Sequence, residues 1–129
     1  MNRRATCCCG NCTIDVDGEP AFSAICHCRN CKKRTGSAFG WSTYFADSQV
    51  GSRPADVSVY EIGGSNPQQR WFCRNCGSTL FWKAAALPGH TGIAGGCFAD
   101  NPLDAPSVTV SNDGRCSWVG LPEEWRRSL

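Results

Sequence analysis

Three cysteines lie close together in the stretch ICHCRNCKKRTGSAF. Cys26, Cys28 and Cys31 have the spacing C-x-C-x-x-C, which lets three sulfurs converge on one ion. Structural zinc sites take four protein donors, whereas catalytic sites keep one position for water or substrate. The triplet therefore predicts an open metal site, with Cys26, Cys28 and Cys31 as its ligands and catalytic residues.

Two histidines are the other candidates for the fourth donor. His27 lies between two of the cysteines, so we expect it to point away from the ion, as a neighbouring or surface imidazole. His90, in LPGHTG, is an alternative ligand brought in by folding, although an exposed loop histidine is the favoured interpretation. On these expectations the metal position remains open.

An open three-thiolate zinc favours one kind of chemistry. Three thiolates and Zn²⁺ leave a net charge of about −1, so the centre activates water less well than zinc on neutral imidazoles, and its softness suits a fourth sulfur. A coordinated thiol is deprotonated. The pattern therefore indicates a site that binds an incoming thiol as thiolate and releases it to attack an electrophile.

Basic residues follow the triplet directly. Lys32, Lys33 and Arg34 are candidates for balancing the thiolate charge or for binding a carboxylate of the substrate. The alternative is a solvated turn before the sequence TGS. The aromatic residues after this turn favour core packing over pocket lining: Phe39, Trp41, Tyr44 and Phe45.

A second metal site is indicated by FCRNCGSTLFW. Cys73 and Cys76 have C-x-x-C spacing, and Gly77 permits the positive φ that the turn of a zinc knuckle often needs. The run after it, residues 80–82, is typical of a buried strand. One knuckle supplies only two ligands, so another pair must come from elsewhere in the chain.

The N-terminal stretch TCCCGNCTIDVDG offers that pair in two registers, Cys7 with Cys9 or Cys9 with Cys12. We favour the first, because residues i and i+2 of an extended segment face the same side. Cys12 also begins an alternation with Ile14 and Val16 that places it on the apolar face of a strand. The resulting closed site would hold a structural zinc on Cys7, Cys9, Cys73 and Cys76, making two Zn²⁺ per chain.

The other cysteines are expected to be small buried or semi-buried thiols: Cys8, Cys12, Cys97 and Cys116. For Cys97 a place beside a cleft is the alternative, because its segment GIAGGCFADNP is rich in glycine. For Cys116 we expect a short strand.

Composition narrows the class of protein. The 129 residues predict one domain over 1–129, and no apolar run approaches the roughly 20 residues that cross a bilayer. No signal-peptide pattern follows the N-terminus, so we expect a cytoplasmic protein. There, eleven cysteines favour metal binding over disulfides. The net charge of +2 argues against nucleic-acid binding.

Turn-forming residues separate the predicted strands, which span 13–16, 42–45, 57–62, 79–82, 93–98 and 108–110. One helical turn is expected at 32–35. The end of the chain, LPEEWRRSL, predicts a helical turn or a loose tail.

Three motifs occur in a specific order. They are C-x-C-G at 7–10, C-H-C-x-x-C-x-K-x-[ST]-G at 26–36 and F-C-x-x-C-G-[ST]-x-L at 72–80. In this order they resemble the glutathione-dependent formaldehyde-activating enzyme family, also called the GFA or CENP-V domain. The similarity extends through GIAGGCFADNPLD to CSWVGLPEE and so covers nearly the whole chain.

The resemblance implies a mainly β, Mss4-like fold of several small coiled antiparallel sheets held by zinc. It also implies a carbon–sulfur lyase that joins glutathione to formaldehyde, giving S-(hydroxymethyl)glutathione. The alternative function is a non-catalytic, zinc-stabilised binding module for a protein or nucleic-acid partner.

Overall fold

The structure, a computed structural model, describes residues 2–127 and is built mainly from strands. The strands are β1 (Asn2–Thr6), β2 (Thr13–Asp17), β3 (Phe22–Cys26), β4 (Gly40–Ala46), β5 (Val57–Ile62), β6 (Gln68–Cys73), β7 (Thr79–Ala84), β8 (His90–Ala94), β9 (Val108–Val110) and β10 (Arg126–Arg127). Helix α1 spans Arg29–Thr35. Short 3-10 helices cover Asp47–Gln49, Gly95–Phe98 and Asn112–Gly114.

Within the described residues the strands form two sheets. β1 and β2 make an antiparallel hairpin, and the other eight strands form a sheet in the order β10-β9-β3-β4-β8-β7-β6-β5. Pairing in the larger sheet is antiparallel except for β3 with β9 and β9 with β10. The predicted mainly β fold class is confirmed. No helix among residues 2–127 is long and apolar enough to cross a membrane.

Most of the strands predicted from sequence are present. The bounds of β5 and β9 are as predicted, and β2, β4 and β7 are each one to three residues longer than expected. The prediction of a strand over 93–98 is wrong beyond residue 94. There Gly95 lies against the Trp41 ring, where a Cβ atom would come within 2.2 Å, and the chain turns into a 3-10 helix that still buries Phe98.

Three local predictions are corrected. Helix α1 begins at Arg29 rather than at 32, because Cys28 caps it. Cys116 lies in a loop, since the 3-10 helix at 112–114 ends β9 before it. The C-terminal segment makes a turn at 122–125 and then the short strand β10, which pairs with β9. Residues 128–129 of that segment lie outside the described residues.

The core lies where the β1–β2 hairpin packs on the larger sheet. Its fully buried side chains include Ile14, Phe45, Leu80, Phe81, Ile93 and Phe98. Cys12 is also buried, as the alternation in β2 predicted. The predicted strand after the knuckle is confirmed as the buried part of β7. Of the aromatic residues expected in the core, Phe45 is there, whereas Trp41 is only partly buried at its edge.

Gly92 leaves the space that the indole of Trp82 occupies beside β8. The two residues pair across β7 and β8, and a Cβ atom on Gly92 would lie 2.1 Å from Trp82 Nε1. We expect Gly92→Ala to displace the indole and lower the free energy of unfolding by about 1–3 kcal/mol, measured by urea denaturation. Gly96→Ala, whose Cβ would meet no atom within 4 Å, is the control. Equal stability of the two variants would contradict this account of the packing.

Candidate active site

The three-cysteine cluster (Cys26, Cys28 and Cys31) forms where β3 passes into α1. Cys26 ends β3, Cys28 is the N-cap of the helix and Cys31 lies in its first turn. The three Sγ atoms all lie within 4.8 Å of one another, so the group can hold a metal ion. The spacing chosen from the sequence thus brings the predicted sulfurs together.

Hydrogen bonds define the short helix that carries two of these sulfurs. Cys28 Sγ accepts a hydrogen bond from the Cys31 backbone N–H at 3.4 Å, in the manner of an N-cap side chain. At the other end Gly36 adopts the left-handed conformation, with φ 63°, and its N–H bonds to the Lys32 carbonyl. These caps fix the direction in which the Cys28 and Cys31 side chains leave the helix.

The thiols of the cluster perturb one another. Hydrogen bonding from the Cys31 thiol lowers the pKa of Cys26 to about 5, while the same interaction raises the pKa of Cys31. Cys26 also lies 3.7 Å from the Ser111 hydroxyl. Close, partly buried sulfurs that share protons are a donor set suited to a soft cation. The cation replaces these protons when it binds.

Neither histidine belongs to this cluster in the described part of the chain. His27 is fully buried, and its Nε2 lies 2.8 Å from Thr109 Oγ1 on β9. It is therefore a buried neighbour of the cluster and not a surface imidazole. His90 begins β8, half-buried, with Nδ1 3.0 Å from the Pro88 carbonyl. Within residues 2–127 the three-cysteine cluster therefore has no fourth metal-ligating side chain close to it.

A cavity of about 300 Å³ opens beside the cluster. We call it the three-cysteine cavity, and its wall includes Cys28, Cys31, Arg34, Tyr44, Arg70 and Trp82. Tyr44 therefore lines a pocket rather than packing in the core, contrary to the expectation from sequence. Its hydroxyl accepts a hydrogen bond from Trp82 Nε1 at 2.9 Å.

The three basic residues after the triplet have different surroundings. Lys32 Nζ donates to the backbone carbonyl of Gly114, which connects α1 to the 3-10 helix after β9. Lys33 is exposed and lines the groove that adjoins the cavity. Arg34 lines the cavity itself, with its guanidinium carbon 4.5 Å from the centroid of the Trp82 ring. Arg34 is therefore the member of this group that reaches the candidate active site.

The four-cysteine cluster (Cys7, Cys9, Cys73 and Cys76) joins the β1–β2 hairpin to the β6–β7 turn. All four Sγ atoms lie within 4.8 Å of one another. Cys9 Sγ is 3.6 Å from Cys7 Sγ and 3.7 Å from Cys73 Sγ, although 64 positions separate Cys9 from Cys73. This cluster can also hold a metal ion, and it would connect distant parts of the chain.

Each of the two cysteine turns of this cluster has a glycine with positive φ directly after its second cysteine. Gly10 and Gly77 have φ of 80° and 79°, and each donates its N–H to the carbonyl of the first cysteine of its pair. Sulfur atoms accept backbone N–H groups in both turns, from Cys12 to Cys7 at 3.2 Å and from Asn75 to Cys73 at 3.3 Å. Such donors stabilise thiolates.

The favoured register is supported, but for a different reason. Residues 8–10 form a turn, so Cys7 and Cys9 converge through a bend and not along an extended segment. Cys12 lies outside the group, where its thiol donates to the Asp56 carbonyl at 3.2 Å and burial raises its pKa to about 12.

The remaining cysteines lie in different environments. Cys8 is exposed, contrary to the expectation of a buried or semi-buried thiol, because the turn at 8–10 directs it outward. Cys97 is partly buried and lines a cavity of about 710 Å³ with Trp41, the alternative that its glycine-rich segment suggested. Cys116 is partly buried. These thiols lie outside both clusters in the described part of the chain.

Comparison with protein families identifies the class. The family model described as glutathione-dependent formaldehyde-activating enzyme, or GFA, matches residues 2–112. The chain belongs to the GFA family. The resemblance inferred from the three motifs is thereby confirmed, and the family is named for an enzyme activity.

One solved structure supports the fold of this GFA-family chain. It is the crystal structure of a Rhodobacter sphaeroides protein from a structural-genomics programme, with a TM-score of 0.58 and 24% sequence identity. The similarity covers 75% of this chain and 86% of the other. No curated protein matches the chain.

Sequence reasoning missed three residues of the site in this GFA-family protein. Arg70 on β6 and Tyr44 on β4 line the cavity, and Ser111 lies beside Cys26. Arg70 could have been found from the sequence, because it is an arginine at an inward position of a strand, between the polar Gln69 and the aromatic Trp71. Tyr44 and Ser111 come from segments whose proximity depends on sheet order alone.

Two metal ions per chain are expected, one in each cluster, and we expect the clusters to contribute differently to stability. Cys31→Ser should lose one ion and keep the fold, whereas Cys76→Ser should lose the other and unfold at clearly lower denaturant, because its cluster joins distant segments. Metal content by atomic emission and unfolding by circular dichroism measure both effects. Cys116→Ser is the control. Global unfolding of Cys31→Ser would contradict the assignment of its cluster as an open site.

Proposed function

We propose that this protein is a zinc-dependent carbon–sulfur lyase that adds a small thiol to formaldehyde or a related small aldehyde, and catalyses the reverse cleavage. Glutathione is the proposed thiol, as the family description suggests. The observation that carries the proposal is the position of the three-cysteine cluster, two of whose members, Cys28 and Cys31, line a cavity. A metal held there faces a space that a small molecule can enter.

The donor sets fit zinc at both clusters. Cys26, Cys28 and Cys31 would hold the ion at the cavity, and Cys7, Cys9, Cys73 and Cys76 would hold a structural one. When bound at the cavity, zinc lowers the pKa of a thiol that reaches it, so that the thiol is present as thiolate at neutral pH.

Tyr44 is the proposed proton donor of the reaction. Its hydroxyl oxygen already accepts the Trp82 N–H, which leaves its own proton free for a group in the cavity. Burial raises the pKa of Tyr44, so the phenol stays protonated at neutral pH. A hydrogen-bonded phenol in a partly buried wall is a suitable acid for an oxygen that gains negative charge.

In the proposed reaction a thiol adds to the carbonyl group of the aldehyde. The substrate thiol loses its proton to solvent, and the sulfur lone pair forms a C–S bond to the aldehyde carbon. The π electrons of the carbonyl pass to its oxygen, which takes the proton of Tyr44 and becomes the hydroxyl of the hydroxymethyl thioether product. Tyr44 regains a proton from solvent. Cleavage is the same sequence in reverse.

The activity is tested by exchange NMR with glutathione and formaldehyde. We expect the zinc-loaded protein to accelerate the interconversion of free and hydroxymethylated glutathione above the spontaneous rate. Cys31→Ser should abolish the acceleration, while Cys116→Ser should retain it. Absence of acceleration with glutathione and with other small thiols would refute the proposed function.

Tyr44→Phe tests the proton donor. Loss of general acid catalysis is expected to lower kcat by about 10²-fold or more, with little change in affinity for the thiol. Trp82 Nε1 also loses its acceptor, so the free energy of unfolding should fall by about 1 kcal/mol. Tyr60→Phe is the matched control, because Tyr60 is 60% exposed. Unchanged kcat in a folded Tyr44→Phe protein would exclude this role.

A further inference from the structure

Arg70 is a buried cation with no carboxylate partner among residues 2–127. Arg70 is 8% exposed, and its Nε donates a hydrogen bond to Gln68 Oε1 at 3.3 Å. Within residues 2–127 no carboxylate lies within salt-bridge distance of it. Arginine is almost never buried without a partner, since removing a charge from water is costly. The terminal nitrogens of Arg70 therefore favour a negatively charged ligand.

Arg34 adds a second positive charge to the same cavity. The face of the Trp82 ring supports its guanidinium, and its Nη2 atom is buried without a hydrogen-bond partner among the described residues. This nitrogen lies close to the cluster, since a Cβ atom built on Gly40 would be 2.7 Å from Arg34 Nη2 and 3.1 Å from Cys31 Cβ. Burial, and then the charge of Arg34, lower the pKa of Arg70.

Among the described residues, neither the lining of the three-cysteine cavity nor that of the adjoining groove contains aspartate or glutamate, and the groove adds Lys33. The cluster thiols offset the positive charges of Arg70 and Arg34 only in part. They favour the charged form of Arg70, but in residues 2–127 neither guanidinium donates a hydrogen bond to a cysteine sulfur. The donors remain available to a ligand in the cavity.

We propose that Arg70, assisted by Arg34, binds a carboxylate of the substrate thiol and so makes the site selective for carboxylate-bearing thiols. The inference rests on the proposed function, because it assigns the thiol to the same cavity. The planar guanidinium matches a carboxylate in bidentate geometry. Arg70 is thus a specificity-determining residue, which holds the substrate at one end while its sulfur reaches the cluster at the other.

Three small probes separate the roles of carboxylate and thiol. 3-Mercaptopropionate carries both groups, 2-mercaptoethanol carries only the thiol, and 3-(methylthio)propionate carries the carboxylate without a free thiol. Their dissociation constants are measured on the zinc-loaded protein by NMR titration. We expect 3-mercaptopropionate to bind at least about tenfold more tightly than 2-mercaptoethanol, the size of effect that a charge-assisted hydrogen bond gives.

Variants of the two arginines show which side chain causes the preference for the carboxylate-bearing thiol. Arg70→Gln should remove most of the tenfold preference and leave the affinity for 2-mercaptoethanol unchanged, and Arg70→Lys should restore it only in part, because lysine lacks the bidentate fork. Arg34→Gln should weaken the preference as well, and it provides the test if Arg70→Gln fails to fold. Arg4→Gln is the charge-matched control, since Arg4 pairs with Asp15 on the exposed hairpin.

The outcomes distinguish this inference from the proposed function. Equal affinity of the wild type for the first two probes, or an undiminished preference in folded Arg70→Gln and Arg34→Gln, overturns the inference even if the thiol binds. Arg70-dependent binding of 3-(methylthio)propionate, with nothing gained from a free thiol, supports the inference while refuting the proposed function.

Discussion

The attachment of α1 to the end of β3 is the constraint on which the candidate active site depends. The helix has only seven residues and buries none of them, so it would not be stable by itself. Hydrogen bonds at its two caps and the bond from Lys32 to Gly114 hold it in place. Two of the three cluster sulfurs and Arg34 all leave this helix. An ion bound by the cluster would join the helix to β3 and reinforce the same arrangement.

The charges of the cavity follow from this arrangement. Arg34 reaches inward because Trp82 supports its guanidinium, and Trp82 in turn fits against Gly92. Arg70 comes from β6 and meets Arg34 only because β6 and β7 are adjacent in the sheet. Two guanidiniums that face thiols without bonding to them produce a positive potential at the entrance to a sulfur-rich centre. Such a field favours anionic thiols over neutral ones.

The two cysteine clusters differ in ways that suit different roles. In the four-cysteine cluster the sulfurs come from two turns that each have a glycine of positive φ after the second cysteine, and a backbone N–H donates to one sulfur of each turn. It connects the N-terminal hairpin to the middle of the chain. The three-cysteine cluster is local in sequence and lies at a cavity. A site that joins distant segments is favoured for stability, whereas one that faces a cavity is favoured for chemistry.

The sequence alone indicated the three-cysteine cluster, the separate cysteine pairs and the family, because ligand spacing within a turn or a short helix is a local property. Cys26, Cys28 and Cys31 converge for that reason, and so do Cys73 and Cys76. The alternation in β2 likewise placed Cys12 in the core and outside the cluster. Strands with charged or small residues, such as β1 and β3, were missed because burial there depends on partners such as Glu19 for Arg3.

Tertiary structure decided which residues surround the sulfurs. Tyr44, Arg70 and Ser111 lie on three different segments, and sheet order brings them to one place. No local pattern encodes that order, because strand pairing between distant segments depends on the packing of the whole sheet. The sequence therefore indicated the proposed metal ligands and Arg34, and the fold placed Tyr44 and Arg70 beside them.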